Sequence, residues 1–371
     1  VSHEISPLMK LVGRADTTVI DAYLSPILKR YVSQISSEFD QDDQAKLLFM
    51  QSNGGLTDAN MFRGKDAILS GPAGGVVGMV KTAKIAGFDK LIGFDMGGTS
   101  TDVCHYNGQF ERSFETEVAG ARVRAPMMDI HTVAAGGGSI LFFRDGRLQV
   151  GPESAGANPG PACYRRGGPL TVTDCNVMLG KLQPLHFPCV FGPNADQPID
   201  VEAVEKSFKE FAEEISIKTG NKPLSGVELA EGFLRIAVAN MANAIKKISV
   251  QRGYDVTKYA LQCFGGAGGQ HACLVADALG IETIFIHPFA GVLSAYGMGL
   301  AEIRCMKESQ FERPLSAYEE AKVMLSDLSD KATRQVVSQG VRYVDISLEC
   351  RAHIRLSGSH QALTVSFGNL K

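Results

Sequence analysis

The hydrophobic pattern near the start of the chain changes between helical periodicity and short apolar runs. Residues 17–39 carry apolar side chains at helical spacing, which predicts an amphipathic helix. Residues 47–50 and 90–94 are short apolar runs that predict buried strands, and residues 73–86, which follow Pro72, predict a helix between them. Strand, helix and strand in this order indicate an α/β fold.

The middle of the chain differs in composition and in hydrophobic pattern. Residues 107–198 are rich in glycine and proline and contain few helical runs, which predicts a loop-rich β insertion. Residues 201–218 and 227–252 return to helical periodicity with charged faces, so two helices are predicted there. A strand, a glycine turn and a helix follow at 259–279, and a further short strand is predicted at 283–286.

These patterns predict three segments. Residues 1–40 form a helical lead-in, and residues 41–305 form an α/β domain with an insertion at about 107–200 and helices at about 201–252. Residues 306–371 begin a further C-terminal α/β domain. The chain starts with Val rather than Met and has no signal-peptide pattern, so we expect residue 1 to be a fragment boundary rather than a natural translation start.

Composition narrows the classes of function. The 371 residues include 37 basic and 40 acidic side chains, and this balance predicts no binding to nucleic acid or to an anionic membrane. No apolar stretch approaches the roughly 20 residues that a membrane-spanning helix needs. The 8 cysteines are scattered without a CxxC pair, which indicates the reduced thiols of a cytoplasmic protein.

The strongest chemical signal is the run IGFDMGGTSTDV at residues 92–103. An apolar strand leads into an acid, a glycine pair, hydroxyl residues and a second acid, and glycines let backbone N–H groups approach anionic oxygens closely. Asp95 is placed to hold Mg²⁺ through water, and Asp102 can orient the metal or a nucleophile. The alternative is a β-hairpin whose acids only cap the turn. The candidate phosphate-binding residues are Gly97, Gly98, Thr99, Ser100 and Thr101.

A second glycine-rich run, QCFGGAGGQHA, occupies residues 262–272. It joins a predicted strand to a predicted helix, so Gly265, Gly266 and Gly268 are candidates for close contact with a flat or anionic ligand. The alternative is tight packing of strand against helix. We interpret His271, in the first helical turn, as a satisfied structural histidine rather than a catalytic one.

Asp129 and His131 precede a third glycine turn, at residues 135–139. Their spacing places both side chains on one face of a strand, where they can contact substrate or metal. The alternative is a surface pair at the end of a strand. Weaker candidates of the same kind are Arg124, Arg165, Arg166 and Asp174.

These motifs resemble those of a known superfamily and of one family within it. Residues 95–99 resemble a phosphate loop of the actin, hexokinase and Hsp70 ATPases, and residues 265–267 resemble their adenosine loop. Further segments resemble signatures of the hydantoinase A/oxoprolinase family: 70–78, 132–139, 151–157, 159–164, 171–174 and 291–295. The runs at 187–193 and 263–272 resemble its oxoprolinase branch most.

The resemblance implies an actin-like, ribonuclease-H-like ATPase fold that uses ATP and Mg²⁺. It implies ATP-dependent ring opening of 5-oxo-L-proline to L-glutamate with release of ADP and phosphate, and assembly as a homo-oligomer. The family's N-terminal domain and its hydantoinase B-like half are missing here, so we expect this chain alone to fold without catalysing the reaction. The alternatives are a hydantoinase or ketone carboxylase subunit of the same family, and a non-catalytic actin-like ATP-binding module.

Overall fold

The computed structural model describes residues 1–8, 11–39, 46–118, 120–359 and 362–367. Within these residues the α-helices are α1 (Ser2–Ile5), α2 (Leu11–Glu38), α3 (Gly64–Ala67), α4 (Ser70–Ile85), α5 (Val172–Met178), α6 (Val201–Thr219), α7 (Gly226–Ile248), α8 (Ala272–Leu279), α9 (Leu293–Leu300) and α10 (Tyr318–Val337). The strands are β1 (Leu48–Met50), β2 (Leu56–Asp58), β3 (Lys90–Met96), β4 (Thr101–Asn107), β5 (Arg112–Ser113), β6 (Thr116–Val118), β7 (Ala121–Val123), β8 (Met127–Met128), β9 (Ile130–Val133), β10 (Ser139–Arg144), β11 (Arg147–Ser154), β12 (Ala260–Phe264), β13 (Thr283–Phe285), β14 (Arg351–Ile354) and β15 (Leu363–Ser366). None of the described helices is both long and apolar enough to cross a membrane.

The chain divides into two compact units, and the division differs from the three predicted segments. Val1–Ala73, Arg112–Met128 and Ala301–Lys371 belong to the first unit. Gly74–Glu111 and Asp129–Leu300 belong to the second. The predicted α/β domain at 41–305 therefore contributes three stretches, 41–73, 112–128 and 301–305, to the unit that holds the C-terminal residues.

Backbone hydrogen bonds between distant segments explain this division. In the first unit the Leu56 N–H donates to the Glu302 carbonyl at 2.8 Å, and the Arg304 N–H donates to the Leu56 carbonyl at 3.1 Å. The Met128 N–H donates to the Ser52 carbonyl at 2.7 Å. Local periodicity carries no information about such pairings, because the partners lie tens to hundreds of residues apart.

Helix α2 of the first unit contains the predicted amphipathic segment. Some of its apolar side chains face inward, because Val32 is buried and Ile20 packs against the cluster of Val123, Ala125 and Met127. Small and polar residues share this inward side, because Gly13, Thr17 and Asp21 are also buried. The Asp21 carboxylate accepts a hydrogen bond from the Lys65 backbone N–H at 3.0 Å, which ties α2 to α3. The large apolar residues of α2 that remain more than half exposed are Leu11, Val12, Val19, Tyr23, Ile27 and Tyr31.

A mixed five-stranded sheet forms the centre of the second unit, with strand order β13-β12-β3-β4-β9. Strands β12 and β13 run parallel to β3, whereas β4 and β9 add antiparallel pairs. The carboxyl ends of β13, β12 and β3 therefore meet at one edge of the sheet. Together with the flanking helices this sheet makes the second unit a mixed α/β fold.

The two faces of the sheet pack against different helices. Toward α4, the Gln262 side-chain amide donates to the Thr82 hydroxyl at 2.9 Å, and a Cβ on Gly93 would lie 2.7 Å from the Met79 sulfur. The alternate residues of β3, such as Phe94, belong to the apolar core that includes helices α7 and α8. Because side chains alternate along a strand, Asp95 shares the α4 side of the sheet with Gly93.

Candidate functional site

The predicted phosphate turn is the connection between β3 and β4. The Gly97 N–H donates to the Ser100 carbonyl at 3.1 Å and closes the turn. Asp95 and Asp102 are directly opposed across the two antiparallel strands, so their side chains lie on the same face of the sheet. The Thr132 hydroxyl, on β9, donates to the Asp102 carboxylate at 2.7 Å. The turn is thus a β-hairpin that also presents a pair of acids.

Burial and mutual repulsion disfavour negative charge on this acid pair. Burial, followed by the charge of Asp102, raises the pKa of Asp95 to about 6. Burial also raises the pKa of Asp102, and the hydrogen bond from Thr132 partly opposes that shift. Within the described part of the chain, no basic side chain forms an ion pair with either acid. The pair therefore offers carboxylate oxygens that a bound cation would stabilise.

The second glycine run contacts the first turn directly. Phe264, the last residue of β12, lies opposite Asp95, so the run begins at the same edge of the sheet. The Ala267 N–H donates to the Met96 carbonyl at 2.9 Å. Gly265 has φ +81°, and a Cβ there would lie 2.4 Å from an Asp95 carboxylate oxygen and 2.5 Å from the Met96 carbonyl oxygen. Only glycine fits this close approach.

The third glycine turn supports the first one from behind. The Gly137 N–H donates to the Gly97 carbonyl at 3.1 Å, and the Gly138 N–H donates to the Gly98 carbonyl at 2.5 Å. A Cβ on Gly136 would lie 2.5–2.7 Å from backbone atoms of residues 98–100. Residues 136–138 are buried, whereas Gly98 at the tip of the first turn is exposed.

Helix α5 anchors this support through a buried carboxylate. The backbone N–H of Thr173 donates to the Gly137 carbonyl at 2.7 Å. The neighbouring Asp174 is 0% exposed and accepts from the N–H groups of Ala162, Cys163 and Thr171 at 2.8–3.1 Å, and from the Thr171 hydroxyl at 2.9 Å. Burial raises the pKa of Asp174, and these hydrogen bonds oppose the shift. Asp174 therefore organises the scaffold of the site.

The predicted hydroxyl and glycine residues differ in how accessible they are. Thr99 is exposed at the tip of the turn, whereas Thr101 is 0% exposed and donates its hydroxyl to the Ala135 carbonyl at 2.5 Å. The Thr101 hydroxyl hydrogen is therefore used within the protein. Gly268 is buried, and a Cβ there would lie 2.7 Å from the Cys263 sulfur, so this glycine is required by strand–helix packing.

Asp129 and His131 lie on the other side of the sheet from the acid pair. His131 is opposite Val103, whose side chain points into the core toward α7. Asp129 forms an ion pair with Arg252 at 2.7 Å. Burial and the charge of Lys247 lower the pKa of His131. Thr132, the residue after His131, is the one that reaches Asp102, so a catalytic role for Asp129 and His131 stays a prediction.

Four glycines of the two exposed turns border open space. A Cβ on Gly97, Gly98, Gly266 or Gly269 would have no heavy atom of another residue within 4 Å, and none of the four has a left-handed φ. Neither crowding nor backbone conformation within this chain therefore requires glycine there. Glycine at such positions leaves backbone N–H groups accessible, so the turns form a cradle that a ligand can enter.

Comparison with known proteins places the chain in a family. A sequence model described as Hydantoinase/oxoprolinase matches residues 14–307. The chain belongs to the hydantoinase/oxoprolinase family. It is 43% identical to the 5-oxoprolinase of Dictyostelium discoideum over 98% of its own length, and 44% identical to the 5-oxoprolinase of Saccharomyces cerevisiae, also over 98%. The chain spans 30% and 29% of these two relatives, respectively.

Solved structures share the fold. The crystal structure of ATP-dependent caprolactamase from Pseudomonas jessenii superposes with a TM-score of 0.80 at 31% identity, covering 98% of this chain and 53% of that one. A nucleotide-free acetone carboxylase structure superposes with a TM-score of 0.74 at 23% identity, covering 98% of this chain and 52% of that one. The mixed α/β fold is thus common to both neighbours.

The acid pair of this family member suits a hard divalent cation. Its donors are carboxylate oxygens, which Mg²⁺ prefers, and their proximity is unfavourable without a cation. No cluster of three or more His, Cys, Asp or Glu side chains that could hold a metal occurs among the described residues. Mg²⁺ usually keeps several waters and takes only one or two carboxylates beside substrate phosphates, so Asp95 and Asp102 fit it.

Replacing Asp174 with Asn is expected to lower the melting temperature of the protein. The amide would direct an N–H₂ group at backbone N–H donors in a fully buried position, at a cost of about 2–4 kcal/mol. Thermal unfolding of the purified protein measures this, with Asp145→Asn in the exposed turn between β10 and β11 as the matched control. An unchanged melting temperature for Asp174→Asn would contradict the scaffold role.

Proposed function

We propose that this chain forms one wall of the ATP site in an ATP-dependent 5-oxoprolinase. The observation that carries the proposal is the contact between two glycine turns at one sheet edge, beside the Asp95–Asp102 pair. The family and the 5-oxoprolinase relatives support the substrate, and the caprolactamase neighbour, described as ATP-dependent, supports the use of ATP. In this proposal the arrangement is actin-like, with 95–99 as a phosphate loop and 265–267 as the adenosine loop.

Each part of the site has a proposed task. The backbone N–H groups of Gly98 and Thr99 and the exposed Thr99 hydroxyl bind phosphate oxygens. Asp95 holds Mg²⁺, which neutralises charge on the phosphates, and Asp102 is held beside it by Thr132. Gly265 and Gly266 let the backbone approach the adenosine end closely.

The chemistry explains the need for ATP. A five-membered lactam is a resonance-stabilised amide, so its carbonyl carbon reacts slowly with water. Transfer of the γ-phosphoryl group to the amide oxygen releases ADP and activates that carbon. Water then adds to this carbon, and the ring C–N bond breaks with protonation of the nitrogen, which leaves an acyl phosphate. A second water cleaves the acyl phosphate to inorganic phosphate and glutamate. The protein contributes positioning and charge neutralisation.

A substrate panel tests the proposed function. We expect the purified full-length protein to release ADP only when 5-oxo-L-proline is present, with one glutamate formed for each ADP. ε-Caprolactam, hydantoin and acetone with bicarbonate serve as controls. Stimulation by one of these instead would assign another branch of the family, and hydrolysis of ATP without any lactam dependence would favour a non-catalytic ATP-binding module.

A further inference from the structure

A buried polar cluster beneath the second glycine turn has no part in the chemistry proposed above. Asn176 on α5 and His271 at the start of α8 are both 0% exposed. The Asn176 side-chain nitrogen lies 2.7 Å from the Gln270 side-chain oxygen and 3.2 Å from Nε2 of His271. Gln270 ends the turn and is partly exposed. One amide group on α5 thus contacts both residues where the glycine run enters the helix.

The donor and acceptor roles in this cluster are mutually dependent. An Asn side-chain nitrogen carries two hydrogens and accepts none, so both contacts require acceptors on Gln270 and His271. His271 can accept at Nε2 only as the neutral ring with its hydrogen on Nδ1. Burial, and secondly the charge of Lys181, lower the pKa of His271 to about 4, so the ring is neutral at physiological pH.

This arrangement sets the direction of the Gln270 side-chain amide. Its oxygen accepts from Asn176, so its Nε2 group is left as a donor on the other side, with no hydrogen-bond acceptor among the described residues. The Gln270 main chain is also held: its N–H donates to the Ala267 carbonyl at 3.3 Å, and its carbonyl accepts from the Lys181 ammonium at 2.7 Å. Gly269 beside it borders open space.

We propose that Gln270 binds the adenosine part of ATP through a hydrogen bond from its side-chain Nε2, and that Asn176 and His271 are positioning residues that orient this donor. The inference rests on the proposed function. Adenosine offers ring nitrogens and ribose oxygens as acceptors, and a donor held in one direction loses little conformational freedom on binding. The cluster therefore tunes affinity for the nucleotide and leaves the transfer of the phosphoryl group unchanged.

Steady-state kinetics of the full-length protein test the role of Gln270. Gln270→Glu keeps the shape of the side chain but removes the donor, so we expect the KM for MgATP to rise about tenfold while kcat changes less than about twofold. Gln149→Glu, on β11, is the matched control and should leave both constants unchanged. An unaltered KM for MgATP in Gln270→Glu would overturn the proposal.

A double-mutant cycle tests the positioning role of Asn176. Asn176→Asp presents only acceptors, so the Gln270 side-chain amide must reverse and direct its Nε2 donor at residue 176. The donor is then no longer available to the nucleotide, and the KM for MgATP should rise when Gln270 is otherwise unchanged. In a Gln270→Ala background the same change should have no further effect on KM, because no side-chain donor remains to orient. An equal rise in both backgrounds would show a general structural effect and reject the role.

The wild-type protein separates this inference from the proposed function. Lactam-dependent ATP turnover in the wild type combined with a normal KM in Gln270→Glu would reject the inference alone. A wild-type protein that neither binds nor hydrolyses MgATP would reject the proposed function, and the inference with it.

Discussion

Replacing Asp95 with Asn is expected to reduce lactam-dependent ATP turnover in the full-length protein by about 100-fold or more. The substitution keeps the size of the side chain but removes the negative charge that is proposed to hold Mg²⁺. The loss should be only partly overcome by raising the Mg²⁺ concentration. Asp196→Asn, at an exposed position in a loop, is the matched control. Near-normal turnover with unchanged metal dependence would remove Asp95 from the mechanism.

The same variant should be more stable to unfolding than the wild type at neutral pH. The pKa of Asp95 is about 6 in the folded protein, above the ordinary aspartate value of 3.8, so the folded state binds more protons than the unfolded state between these pH values. Wild-type stability from this group therefore falls as pH rises from about 4 to about 6, by up to about 3 kcal/mol in total. Asn cannot ionise, so the variant does not lose this stability as the pH rises.

Unfolding measured at two pH values checks that reasoning. The stability difference between Asp95→Asn and the wild type should be largest above pH 6 and should shrink as the pH approaches 4. A variant that is less stable than the wild type at pH 7.5 would indicate that the Asp95 carboxylate makes a favourable contact in the folded protein, and would contradict the electrostatic reasoning.

Alanine at Gly265 and at Gly266 is expected to have opposite consequences. At Gly265 the added methyl group would meet the Asp95 carboxylate and the Met96 backbone at 2.4–2.8 Å, and φ is +81°, so we expect a loss of several kcal/mol in stability and of all turnover. At Gly266 a methyl group meets nothing within 4 Å. The Gly266→Ala protein should therefore melt normally but bind MgATP more weakly.

Thermal unfolding and the KM for MgATP distinguish these outcomes. Because the two residues are adjacent and the substitution is the same, each variant serves as the control for the other. A Gly266→Ala protein with a normal melting temperature and a normal KM would mean that the nucleotide does not occupy the open space beside this turn.

The local parts of the site were predictable from the sequence, whereas their supports were not. The strand, glycine turn and strand at 92–103, and the strand, glycine turn and helix at 259–279, follow from periodicity and from glycine chemistry alone. Their contact depends on β12 lying beside β3, which a parallel α/β arrangement favours. The hydrogen bonds from residues 137 and 138 depend on a chain reversal that no local pattern encodes.

Strand register explains why two of the predicted site residues, Asp129 and His131, do not lie beside the acid pair. Alternation predicts that Asp129 and His131 lie on one side of their strand, but it cannot say which side, because a shift of one residue exchanges the two faces. The observed register puts Thr132 beside Asp102 instead. Asn176 was missed for a different reason, because it lies 94 residues from Gln270 in sequence and its amide has no motif of its own.

The hydrogen bonds behind the phosphate turn also determine which way its peptide dipoles point. Gly137 and Gly138 hold the carbonyl oxygens of Gly97 and Gly98. In a trans peptide the N–H points opposite to the carbonyl, so the N–H groups of Gly98 and Thr99 are directed to the exposed side of the turn. The positive ends of these dipoles therefore already face an incoming anion. Binding of the anion would need no reorientation of the backbone peptides.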